Sequence, residues 1–187
     1  MSIEGNYTRI SPQEFSRLKK NRKAPTASSV PPLKLLEKNP EAVFEWLRER
    51  RSGEHSSFTI GTDWHAMHFL LTGDAQLGEK GSRPAPPLGN VVQGGSETQW
   101  DCTYGKVRLL EPDEVKEVAS ALARISAKEL SSRFSVDSFN ANDIYPHGRQ
   151  KRWTEQAAET VFSNYPRLVK FFELAAKNGE VVLLSSD

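Results

Sequence analysis

In the stretch DWHAMHFLLTGD, Asp63 to Asp74, an acid, a tryptophan and two histidines fall within six residues. Imidazole titrates near working pH, and a carboxylate can orient it, so this is the residue chemistry of general acid–base catalysis. Three apart on a helix, His65 and His68 can approach one ligand. Asp63, His65 and His68 are therefore the candidate catalytic set. The competing reading is packing. Trp64, Met67, His68 and Leu71 share one helical face with Leu70 at its edge, which makes His68 a core histidine with a hydrogen-bond partner and leaves His65 at the surface. A metal centre needs further ligands. Glu97, Asp101 and His147 exist, but no spacing has the form of H-E-x-x-H or paired C-x-x-C, so neither metal nor cofactor is expected.

Three other patterns invite chemistry. DIYPHGRQKRW, Asp143 to Trp153, interleaves Tyr145, His147, Arg149 and Trp153 with further basic residues. Such a mixture binds phosphates or nucleic acid on some proteins. Here it reads as a proline turn between two helices whose aromatic and basic side chains suit a protein interface. With Trp64 and Trp100, those four residues form the candidate binding set. Cys102 in WDCTYG is a nucleophile only if a histidine reaches it, and otherwise a buried thiol. The glycines from Gly73 to Gly105 form neither G-x-x-x-x-G-K-[ST] nor a strand–G-x-G-x-x-G–helix unit; GEKGS at 78–82 has the right residues in the wrong frame.

These residues must be positioned by a recognisable set of elements. SPQE places Ser11 at a helix N-cap, Pro12 at the first helical position and Glu14 where a capping box needs it. NPEAVFEWLRERR repeats the pattern from Asn39, with Val43, Phe44 and Leu47 as its stripe. A helix opens at Pro112, another at the Ser126–Glu129 box, and a long one runs from about Trp153 to Lys177. Pro166 inside it predicts a kink or break near Asn164, and Asn178–Gly179 a left-handed end. The stretch after Asp63 predicts a helix of about ten residues ended by Gly73. NYTRIS, KVRLL and EVVLL read as strands. The expectation is a single α+β domain over 1–187, with several helices on a small, mostly antiparallel or mixed sheet and loop insertions near 21–38 and 74–100.

Composition narrows the function classes. The 187 residues are 37% hydrophobic and 26% charged, with mean hydropathy −0.58 and net charge +1. A charge so near zero argues against nucleic acid as the main partner, since that affinity rests on neutralising phosphates. One cysteine fits a reducing compartment. MSIEGNYTRI lacks the basic-then-apolar pattern of a signal peptide, and no apolar run reaches membrane-spanning length. The expected setting is cytoplasmic, without membrane partners.

IEGNYTRISPQEF, DWHAMHFLLTGD, YGKVRLLEPDEVKEVASAL, ELSSRFSVDSFNANDIYP and FFELAAKNGEVVLL stand in an order that resembles the YfbM-like bacterial proteins. The HFLLTG helix and the IYP turn are the most specific matches. The resemblance implies a single cytoplasmic α+β domain, a domain of unknown function, and places Trp64, His65, His68, Gly73, Tyr145 and Pro146 at motif positions. It carries no catalytic residues. Two function classes follow. The first is a non-enzymatic binding protein with a protein partner, in its narrowest form an immunity protein that neutralises a bacterial toxin. The second is a small hydrolase or nucleotide-handling enzyme working through Asp63, His65 and His68.

Overall fold

The computed structural model describes residues 2–20, 56–77, 84–146 and 152–187. The helix expected from Asn39 and the proline-rich stretch 21–38 lie outside them, as do His147 and Arg149. The described elements run β1 (Gly5–Ile10), α1 (Pro12–Lys20), β2 (Ser57–Gly61), α2 (Trp64–Thr72), α3 (Asn90–Gln93), β3 (Ser96–Cys102), β4 (Gly105–Leu110), α4 (Pro112–Leu122), α5 (Ala127–Ser132), α6 (Val136–Ala141), α7 (Glu155–Lys177) and β5 (Val181–Ser186). The class is α+β.

The strands form one sheet in the order β2-β1-β5-β4-β3, every pair antiparallel. Side chains alternate across it. One face carries Tyr7, Phe58, Ile60, Leu110, Val182 and Leu184 into the main core, against Val115, Val118 and Leu122 of α4 and Leu168, Phe171 and Phe172 of α7. The other carries Ile10, Trp100, Val107, Val181 and Leu183, with Phe15 of α1 packed on them. β5 is central, and Val181 to Ser185 are buried along both faces. That is why VVLL reads as an unbroken apolar run rather than an alternating one.

Helix starts follow their caps. The Ser11 N–H donates to Glu14 at 3.1 Å and the Glu14 N–H donates back to Ser11 Oγ at 3.2 Å, a complete capping box. Ser126 Oγ accepts from the Glu129 N–H at 3.0 Å. Gly179, at φ +62, ends α7 as its sequence predicts.

Two expectations are corrected. α7 runs unbroken through Pro166. A helix-interior proline costs ~3 kcal/mol, but Ala158, Val161 and Tyr165 before it and Leu168, Phe171, Phe172 and Ala175 after it are all buried on one stripe. Each such side chain returns roughly 1–3 kcal/mol on burial, and a break would withdraw half the stripe from the core. The stretch 74–100 is not continuous loop: it holds α3 and most of β3. SETQWDC is an edge strand with one large apolar residue, so its period is nearly invisible in sequence.

Gly5 is set by space rather than by φ. A Cβ there would lie 2.9 Å from both Ile60 Cγ2 and Trp64 Cβ. Its absence lets β1 and α2 approach closely. Gly5→Ala should therefore lower stability by about 1–3 kcal/mol through overpacking, a fall of roughly 2–10 °C in Tm for a chain of this size. An unchanged thermal melt would show that the contact yields freely.

Candidate functional site

α2 opens where the Asp63 carbonyl accepts the Met67 N–H at 2.9 Å, and closes at Gly73, φ +75, whose N–H donates to Phe69 O at 2.8 Å. Seven of its nine residues are buried: Trp64, His65, Ala66, Met67, His68, Leu70 and Leu71. His65, expected at the surface, is only 7% exposed. The turn ending at Tyr145 and the segment at Ala75 both bond to its ring, and a helical period cannot foresee such closure by distant segments.

The His65 partners define its chemistry. Nδ1 accepts the Tyr145 backbone N–H at 3.0 Å, and Nε2 lies 3.0 Å from the Ala75 carbonyl. A backbone N–H can only donate and a carbonyl can only accept, so the ring is neutral with its proton on Nε2. Burial holds its pKa below the ordinary histidine value, His68 adds to that, and the Ala75 bond and Asp74 oppose it. The neighbouring aromatics extend this into a closed ring. Trp64 Nε1–H donates to Ile3 O at 3.0 Å, and the Ile3 N–H donates to the Tyr145 hydroxyl at 2.7 Å. The Trp64 indole stacks on His65 with centroids 5.4 Å apart and meets the Tyr145 ring at 5.5 Å.

His68 is 2% exposed. Its Nε2 lies 3.4 Å from Asp74 Oδ2, and its buried Nδ1 has no hydrogen-bond partner. Burial lowers its pKa too, against the pull of Asp74. Asp63 turns elsewhere, its Oδ2 accepting from Asn164 Nδ2 of α7 at 3.0 Å. The fold thus sends the three candidate catalytic groups to different partners: Asp63 to α7, His65 to two main-chain groups, His68 to Asp74. The imidazole nitrogen left without a bond, His68 Nδ1, is sealed from solvent.

The candidate binding residues are mostly interior. Trp153 is 1% exposed. Its Nε1–H donates to Ile144 O at 2.6 Å, and its backbone is clamped both ways by the Asn140 amide. Trp100 is buried on the second sheet face. Tyr145 is half-buried and Trp64 is buried. Cys102 is half-buried, and burial raises its thiol pKa, opposite to what a nucleophile requires. Among the described residues no group of three or more His, Cys, Asp or Glu side chains is placed to hold a metal ion.

A cleft with about 200 Å³ of free volume lies on the helix-bearing face at one end of the sheet, and a more open one of about 530 Å³ lies beside Thr62, Asp63 and Pro146 against the first turns of α7. Tyr7 and Leu184 line the smaller cleft from the sheet, Trp64 from α2, Val92 and Gln93 from α3, and Tyr104, Lys106 and Arg108 from the β3–β4 hairpin and β4. Sheet register brings these together: Tyr7 pairs with Leu184, which pairs with Arg108, and Gly5 pairs with Ser186. Arg108 braces the far wall, donating to Gly94 O at 2.9 Å, Gly95 O at 2.6 Å and Glu97 Oε1 at 2.7 Å. Of these residues the sequence offers Trp64 as a binding candidate and Glu97 as a carboxylate, while Tyr104 and Arg108 fall in a family-like stretch without a role. Gln93 and Ser186 belong to no motif, and the proximity of all of them exists only once the strands pair.

The sequence matches, over residues 1–185, the family described as Domain of unknown function (DUF1877). The fold is similar to a crystal structure of YfbM from Escherichia coli, described as a protein of unknown function, with a TM-score of 0.61 and 20% identity over 97% of this chain and 98% of that one. No curated protein matches. No helix among the described residues is long and apolar enough to cross a membrane.

Both histidines have folded pKa values below the unfolded value of about 6.5. Their stabilisation is complete above that value and is lost as pH falls through the folded pKa, because the unfolded chain binds protons first. Chemical denaturation should show stability declining on acidification below about pH 6.5, by up to about 1.4 kcal/mol per pH unit for each histidine. His65→Asn keeps an acceptor near Nδ1 and removes one titration, so the slope should fall by about half. An unchanged slope would mean that His65 does not titrate on unfolding.

Proposed function

We propose that this chain, which belongs to the DUF1877 family, is a non-enzymatic bacterial cytoplasmic protein that binds a protein partner through the cleft beside Trp64. The observation that carries this is the cleft's size. Its volume of about 200 Å³ falls below the ~300–1,000 Å³ of common small-molecule sites, yet holds one side chain. Its Trp, Tyr and Arg lining is of the kind interfaces favour. In its narrowest form the partner is a toxin and the chain an immunity protein, which works by covering a site through a few anchors. A hydrolase or nucleotide-handling reading through Asp63, His65 and His68 needs an accessible imidazole base, and both His65 nitrogens are engaged by the main chain.

The test is tagged capture from the native host, with native mass of the complex. Wild-type protein should bring down one partner in fixed stoichiometry. Tyr104 is 39% exposed at the cleft mouth, and Tyr104→Ala should weaken the complex at least tenfold, whereas the exposed Lys128→Ala should not. The reading fails if no stoichiometric partner is recovered, or if Tyr104→Ala binds as well as wild type.

A further inference from the structure

The charges at the cleft are matched internally. Arg108 pairs with Glu97, and Lys106 with Asp101. Four other lining side chains make no hydrogen bond among the described residues: the amide of Gln93 and the hydroxyls of Tyr7, Tyr104 and Ser186. All four are neutral and can both donate and accept. Between them the lining is apolar and aromatic, from Trp64, Val92 and Leu184.

We infer that the cleft is a recognition pocket for a single uncharged aromatic side chain, presented by a segment of the protein partner whose main-chain amides meet Gln93 and Ser186. This rests on the reading of the chain as a binding protein and names the chemistry its site selects. A charged side chain would lose its hydration and find every opposite charge already paired, which is unfavourable. An aliphatic one would fill volume, but against the indole an aromatic ring gains about two- to tenfold more affinity. A main-chain amide carries one donor and one acceptor, and the side chains of Gln93 and Ser186 can meet both.

The test is an amide NMR titration of the full chain with N-acetyl-tyrosinamide, beside N-acetyl-lysinamide and the α-amide of N-acetyl-glutamate. The tyrosine probe should shift the Gln93 side-chain amide, the Trp64 indole N–H and the Ser186 signal together, with the charged probes at least fivefold weaker. Gln93→Ala, a half-exposed position, should weaken the tyrosine probe three- to tenfold with the rest of the spectrum unchanged. Ser186→Phe should abolish the shifts by filling the space. Absence of cleft shifts, or equal binding of the charged probes, overturns the inference. A seated tyrosine probe without any stoichiometric host partner would keep the pocket and remove the protein-partner reading. A captured partner without a seated probe would do the reverse.

Discussion

The hydrogen-bonded ring through Trp64, Ile3, Tyr145 and His65 is the constraint on which the rest of the site depends. It joins three stretches far apart in sequence: the segment entering β1, the first turn of α2, and the turn between α6 and α7. Each link uses a polar group that burial would otherwise leave unsatisfied, and leaving one so costs about 1–3 kcal/mol. The ring also sets where the indole stands, and the indole is a wall of the cleft. His65 serves here through the lone pair of a neutral imidazole rather than through any acid–base capacity. Both of its ring nitrogens are engaged by main-chain groups.

Tyr145 can close the ring only because its own turn is held. Trp153 does that from below, donating to Ile144 O and locked to Asn140, with its indole edge-on to Phe134 and Phe139. Phe134 in turn meets Phe162 of α7, and Phe139 meets Phe69 of α2. Arg133 reaches across to the Leu70 carbonyl at 3.2 Å, near the end of α2. Aromatic packing thus links α7, α6 and α2.

What could be read from sequence followed locality. Capping boxes at Ser11 and Ser126, the glycine stops at Gly73 and Gly179, and the apolar run of β5 are each written within a few residues, and each is found in place. The short strand SFTIG and the edge strand SETQWDC were missed, because five residues or one large apolar side chain give too little period to see. The candidate site was half legible. The oddness of the Trp64–His68 helix is visible in the sequence, and Tyr145 belongs to the candidate binding set. That these two meet through the Ile3 backbone is a three-body fact about segments 61 and 142 residues apart. Burial of Trp100 and Trp153, both members of the candidate binding set, likewise depends on what packs over them.

The order of the strands in space differs sharply from their order in the chain. β1–β2 and β3–β4 are separate ribbons, and β5, the last strand in sequence, lies between them and alone pairs with both. During synthesis neither ribbon can join the other until residues 181–186 have left the ribosome. Until then two sheet edges, lined with Tyr7, Ile10 and Leu110, stand open to pair with other chains. The sheet is therefore joined by one strand, and whatever loosens β5 separates it into two ribbons.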